Sequence, residues 1–285
     1  MTDLVLGPPV RRPRRLLRLT REPLAVAGAL LVLLHLAMAA FAPMLVPYDP
    51  NMSISPPLLA PEARHWLGTD FLGRDLLSRV IEGGRVAIFT CMGGIAVATV
   101  IGAAIGLLVA LVGGWLDEVV MRCVDAVMAL PDFLLISMLV LGFGTGPVAL
   151  IAVLAFVYTP GIARTVRAQA KALIALDYVR AAELRGENLV NIALRELLPN
   201  VVPVLSVEFA IRFSSALLRL SALSFLGLGI RQPTPDWGRM VQEGVGVLST
   251  DPLVLLAPAI CLSSLVIALN FAVDGLARVL GVSRT

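Results

Sequence analysis

The chain has little charge, one lysine and two histidines in 285 residues. Each shortage excludes a chemistry. The lone lysine, Lys171, follows Ala170, so no G-x-x-x-x-G-K-[ST] phosphate loop can be written, and ATP hydrolysis by that route is excluded. His35 and His65 stand too far apart for an H-E-x-x-H metal site, and no G-x-S-x-G nucleophile elbow occurs. The expectation is a chain that is not an enzyme and binds no cofactor or metal. Cys91, Cys123 and Cys261 are odd in number and lack metal-ligand spacing, so they give no disulfide framework. They fall in apolar runs and read as small packing residues. Only 15% of residues are charged while 58% are apolar. With a mean hydropathy of +0.89, the chain is too apolar for a soluble domain.

What is present is hydrocarbon in long runs. A bilayer-spanning helix needs about 20 mostly apolar residues. Six stretches fit: 24–46, 86–112, 119–141, 147–163, 201–225 and 252–273. Backbone groups in lipid must be satisfied within the segment, so the fold class is an all-α membrane protein with six transmembrane helices. Arg11, Arg12, Arg14, Arg15, Arg18 and Arg21 precede the first span, and an arginine block belongs in the cytoplasm. Counting six spans from there places 164–200 inside too, with Arg164, Arg167, Lys171, Arg180, Arg185 and Arg195. Both counts predict a multi-pass inner (plasma) membrane protein with cytoplasmic N- and C-termini. The predicted organisation is a basic segment at 1–23, a first helix at 24–46, an extracytoplasmic loop at 47–85, a core at 86–274 and a tail at 275–285. A cleaved signal peptide over 1–42 is the rival reading, but the apolar run to Val46 is too long for it. The net charge of +3 reflects the N-terminal block, which suits anionic headgroups of the lipid bilayer and not nucleic acid.

Inside the spans, Gly94, Ala98, Gly102, Gly106, Ala110 and Gly114 put a small residue at every fourth position, a stripe that lets another helix approach closely. It fits a moving partner or ordinary tight packing. Pro131, Pro147, Pro160, Pro203 and Pro258 begin or interrupt spans and can bend them; Pro131-Asp132 is the most suggestive. His35 fits a proton relay or, the favoured reading, a hydrogen bond to a neighbouring helix. Arg122 and Asp125 read as an interfacial pair, and Arg219 as a side chain reaching the outer surface. Glu208 and Arg212, four apart on one helix face, lie near mid-membrane. They either meet a charged group on a passing solute or pair helices together, and both readings stay open.

The charged segment "DYVRAAELRGENLVNIALRELLPN" at 177–200 interrupts this pattern. Asp177 caps a short helix running to Arg185, and Gly186 suits its left-handed end. Asn188 caps a second helix, stopped by Pro199, with Leu189, Ile192, Ala193 and Leu197 on one apolar face. Ala181 and Ala182 give the first helix a flat surface. A connector of nearly 40 residues, 164–200, is longer than joining two spans requires, and two short helices at the cytoplasmic face read as a docking element.

The R-A-A-x-x-x-G pattern at 180–186, with Ile192 and Leu198-Pro199, resembles the "EAA" loop of ABC importer permeases. Residues 65–88, 113–131 and 222–240 resemble blocks of the dipeptide/oligopeptide/nickel permease family, in its C-type subunit, and the match runs in order over about 20–280. The resemblance implies a type I importer permease fold with a cytoplasmic coupling-helix loop at 164–200. It implies a homologous B-type permease beside this chain, two ABC ATPase subunits carrying ATP and Mg beneath it, and an extracytoplasmic solute-binding protein. On that model Arg180, Ala181, Ala182, Gly186, Ile192, Leu198 and Pro199 couple the ATPases to the spans. His65–Asp75 and "RQPTPDW" at 231–237 lie outside near the gate or the binding protein, with 65–82 also readable as an amphipathic helix on the outer leaflet. The solutes implied are peptides first, then nickel or other metal chelates, opines and glutathione. The family's Glu is Arg180 here, its A-L-G is Leu184-Arg185-Gly186, and its Glu before the S-F-L-G-L-G block is Leu220. A carrier driven by an ion gradient is the rival from another class; it requires inverted repeats, and 24–141 and 147–273 show none that convinces.

Overall fold

The computed structural model describes residues 22–280. The basic block at 11–21 and residues 281–285 of the predicted tail lie outside the described residues. Among those described, the fold is helical apart from two isolated β-bridges, Ser53 with Arg74 and Thr69 with Asp75. Helix α1 is Pro23–Ala40, followed by a single turn, α2, at Ala42–Leu45. Then come α3, Leu76–Val112; α4, Gly114–Met128; α5, Asp132–Phe143; and α6, Pro147–Ile174. Helices α7, Asp177–Leu184, and α8, Leu189–Asn191, lead through a π-helical turn at Ile192–Leu197 into α9, Leu198–Phe225. Helices α10, Trp237–Val245, and α11, Leu253–Leu280, complete the chain.

Five of these helical stretches are long and apolar enough to cross a membrane, and α4 with α5 forms a further apolar pair that passes the same test only together, the halves meeting at 87°. The predicted continuous helix over 119–141 is therefore wrong at its centre. Pro131 lacks an N–H and pushes the residue before it out of the helical region, and the chain turns there. The first span likewise breaks at Phe41, and the fourth runs past 163 to Ile174 because its polar continuation is still helical. No separate amphipathic helix forms over 65–82. Residues 65–75 fold as turns, and Asp75 accepts from Ser78 N at 2.8 Å to open α3 directly. The stripe of small residues ends at Ala110, since Gly113 and Gly114 take φ values of 64° and 56° and turn the chain into α4.

Helix α3 lies mainly against α6, with α1 against α11 and α9 beside both pairs. A Cβ on Gly94 would stand 2.7 Å from Leu154 Cβ, one on Gly102 2.9 Å from Ile162 Cβ, and one on Gly106 2.7 Å from the Ala163 carbonyl. The stripe thus has an intramolecular partner, and the packing is backbone against side chain along several turns. His35 takes the favoured reading: Nε2 lies 3.1 Å from Ser264 Oγ on α11, and Nδ1 lies 2.8 Å from Leu31 O.

At the end of the bundle away from α7, Trp237 is fully buried. Its ring faces Gly83 and Gly84, and its Nε1–H donates to Val80 O at 2.8 Å. Beside it Asp236 caps α10, accepting from Arg239 N at 3.2 Å. Asp236 Oδ1 and Ser224 Oγ are buried without well-formed bonds. Burial raises the Asp236 carboxyl from 3.8 to about 6, outweighing the nearby Ser224 hydroxyl and the backbone N–H groups of Arg239 and Gly238. A pKa raised on folding favours the native packing of α10 while the acid stays protonated. That advantage is intact below pH 3.8 and is lost as pH climbs through about 6. Backbone hydrogen exchange, corrected for the intrinsic rate, is expected to show α10 better protected at pH 4.5 than at pH 7.5. Asp236→Asn, which retains an acceptor for the Arg239 amide, should flatten that difference; an unchanged pH response would remove Asp236 as its source.

Candidate functional site

The segment joining α6 to α9 is built from local signals. Helix α7 ends in a Schellman arrangement: Gly186 N donates to Glu183 O at 2.9 Å, and Glu187 N reaches back to Ala182 O at 3.2 Å. Gly186 has φ 77° and open space around it, the left-handed position expected of it. Asn188 caps α8 as expected, accepting from Asn191 N at 2.8 Å. Two local expectations change. Leu176 takes the cap position of α7 without a side-chain bond, and Asp177 is the first helical residue. Pro199 does not stop the second helix but sits in the first turn of α9. The wide π turn before it separates the proline ring from the carbonyl it would strike in a regular α-helix.

Orientation divides the expected coupling residues. Val179, Ala182, Ile192 and Leu197 are buried in the main core, so Ala182 and Ile192 face the chain itself, Ala182 with no exposure at all. Ala181 and Leu198 are half-buried, while Arg180, Gly186 and Pro199 are exposed. The outward surface is instead apolar at positions that the motif and the cap signals do not single out. Leu184 is 90% exposed, and Leu189, Val190 and Leu194 are exposed with it. Their signal is present in the sequence: four large aliphatics in a charged segment, three of them off its periodic face. Arg185, exposed beside them, pairs with Glu187 at 2.7 Å.

Ion pairs join α6, the helix that leads into this segment, to α4. Asp117 on α4 accepts from Arg167 Nη2 and Lys171 Nζ, both at 2.6 Å, on the last turns of α6 before α7. Arg164 bonds Asp125 farther along the same two helices. The expected Arg122–Asp125 pair is not formed. Arg122 bonds Glu118 at 2.7 Å, one turn away, and Asp125 is taken by α6. Cys123, expected to pack, is exposed on this helix.

Within the bilayer level, Arg212 donates to Glu208 at 2.7 Å, and Thr165 Oγ1 lies 3.3 Å from the same carboxylate. A Cβ on Gly161 would stand 2.7 Å from the Arg212 guanidinium, so the pair lies flat on α6 where that helix has no side chain. Arg219, read as reaching for the surface, instead bonds Asp132 at 3.0 Å across the break in the third span and donates to Tyr158 OH at 2.7 Å. The glycine-containing loop after α9, the end of α5 and Arg239 of α10 border an open cavity of about 270 Å³ lined by Val140, Gly144, Leu228 and Arg231 among others. Among the described residues no group of His, Cys, Asp and Glu is placed to hold a metal ion.

Residues 102–282 match the family model described as "Binding-protein-dependent transport system inner membrane component", and residues 14–61 match "N-terminal TM domain of oligopeptide transport permease C". Among known relatives, a glutathione transport system permease protein, GsiD, of Pectobacterium atrosepticum is 35% identical over 261 residues, 91% of this chain and 87% of its own. A di/tripeptide transport system permease protein, DppC, of Pseudomonas aeruginosa is 35% identical over 259 residues, 88% of this chain and 86% of its own.

Proposed function

We infer that the solute is a short peptide, starting from one premise: the chain belongs to the binding-protein-dependent transport system inner membrane components. It is a multi-pass inner membrane protein and the permease subunit of an ABC importer. Membership sets aside the ion-gradient carrier. The names of the relatives support the peptide, since one is a di/tripeptide permease and another carries glutathione, itself a tripeptide. A homologous B-type permease completes the pore, two ATPase subunits bind ATP and Mg, and a binding protein delivers the solute at the opposite face. The α7–α8 end is cytoplasmic, as are both termini.

The observation that carries the coupling reading is the outward face of α7 and α8. Inside its Schellman turn, two residues before Gly186, α7 holds Leu184 almost wholly in solvent, while its other face is locked into the core through Val179 and Ala182. Exposed aliphatic anchors on a rigid, charged mount suit a protein groove better than water or a headgroup layer. Arg180, Ala181 and Gly186 border that contact. Ala182, Ile192 and Leu197 act from inside, transmitting displacement of α7 to α9. Helix α6 carries the same displacement to α4 through the Asp117 clamp, and so to the break at 129–131. Leu184→Glu with Leu194→Glu, in the complete complex, is expected to lower ATP-driven peptide uptake at least about tenfold and to weaken co-purification of the ATPases. Undiminished uptake with a stable complex would remove this surface as the coupling site.

A further inference from the structure

We propose that Asp132 and Arg219 line the solute path and exchange their mutual ion pair for the two charged termini of a passing peptide. The inference rests on the peptide reading above. Its physical basis is the place of the pair. Tyr158, which holds Arg219, is 11 positions into α6 from Pro147, about 16 Å along the helix. Arg219 lies six positions before the end of α9 at Phe225, about 9 Å along it. Both depths fall within a helix that crosses the bilayer, yet the side chains are 33% exposed for Arg219 and 46% for Asp132. Charged groups at that level must face protein or water, because contact with lipid costs about 3 kcal/mol each.

The chain around the pair leaves it uncovered. Asp132 begins α5 immediately after the break, and Met128, Ala129, Leu130 and Pro131 are all exposed. Irregular backbone at membrane depth is tolerated where it is covered by protein or lines a water-filled cavity. The second arrangement matches the chemistry: one carboxylate and one guanidinium, 3.0 Å apart, each keeping an open edge. A zwitterionic peptide brings an ammonium for Asp132 and a carboxylate for Arg219. Tyr158 accepts from Arg219 Nη1 at 2.7 Å, and the guanidinium lies 5.5 Å from its ring centre, so Arg219 stays positioned when Asp132 turns to a ligand. Glu208 and Arg212 lack this freedom, since they lie against Gly161 and Thr165 of α6.

The test uses the complete importer in proteoliposomes, with Cys91, Cys123 and Cys261 replaced by alanine and Asp132→Cys introduced. A cationic, membrane-impermeant methanethiosulfonate reagent is expected to label position 132 in at least one nucleotide state, and dialanine delivered by the binding protein to slow labelling several-fold. Leu130→Cys, at the same break, supplies the accessibility readout if the first variant fails to assemble. In the native-cysteine complex, Arg219→Gln is expected to lower dialanine uptake at least about tenfold, with Arg219→Lys recovering part of it. No labelling at either position in any nucleotide state means that protein covers the break, and overturns the path assignment. Labelling without protection, together with normal uptake by Arg219→Gln, overturns the exchange role. If the unaltered complex imports no peptide, the peptide reading fails and the exchange role falls with it, while labelling still decides whether the pair lines the path.

Discussion

Replacing Gly102 with leucine is expected to pry α3 from α6 and to lower stability by about 3 kcal/mol or more, the upper range for overpacking. The new Cβ would meet Ile162 Cβ and Cγ2 at 2.9 Å and the Thr159 carbonyl at 3.0 Å. A backbone carbonyl cannot rotate aside as the end of a flexible side chain does. Relief therefore requires one helix to move as a body, which also strips Gly94 from Leu154 and Gly106 from Val166 along the same line. In lipid, helices gain little from hydrophobic exclusion and hold together chiefly by such close packing, so separation has no compensation. Gly142 is the internal control. It lies on an exposed part of α5 with nothing within 4 Å of a Cβ, and Gly142→Leu should change stability little. Thermal unfolding in detergent measures both, and equal midpoints for the two variants would refute the account of the stripe.

Gly186→Pro is expected to reduce ATP-driven uptake to background while leaving the amount of protein in the membrane unchanged. Proline holds φ near −65° and has no N–H. Gly186 has φ 77° and donates its N–H to Glu183 O, so both requirements are violated at once. Arg185 is helical, at φ −74° and ψ −4°, a conformation disfavoured before proline. The end of α7 must unwind, and Leu184 loses its position. Insertion depends on α6 and α9, whose apolar spans are untouched. Gly186→Ala keeps the donor and finds open space; its cost is the left-handed backbone alone, about 1–2 kcal/mol, and most uptake should remain. Quantitative immunoblotting alongside vesicle uptake separates insertion from coupling. Normal uptake by the proline variant would mean that α7 does not carry the drive.

The cap chemistry at Gly186 and Asn188 was legible because both signals act within a few residues of themselves. The family resemblance over the same segment rests on the same local pattern. The inward turn of Ala182 and Ile192 was not legible. An eight-residue helix with small and apolar residues on several sides has no intrinsic preference for which side to bury, and the choice falls to the spans that receive it. Charged residues show the same division. Arg122 and Asp125 look paired at i,i+3, yet Asp125 bonds Arg164, 39 positions away, and Asp117 gathers Arg167 and Lys171. Sequence spacing identifies neighbours on one helix only, and these pairs exist because α4 lies along α6. Pro131 marked the break in the third span, but its 87° angle depends on where α4 and α5 each find a surface.

By itself the sequence determined the class of the molecule. Long apolar runs must become helices in lipid because each backbone group there needs a partner in its own segment. Tertiary structure alone decided which charges meet, which face of α7 is outward and what the glycine stripe packs against. Those outcomes depend on distances between residues tens to hundreds of positions apart, and such distances arise only when packed helices exclude every other arrangement.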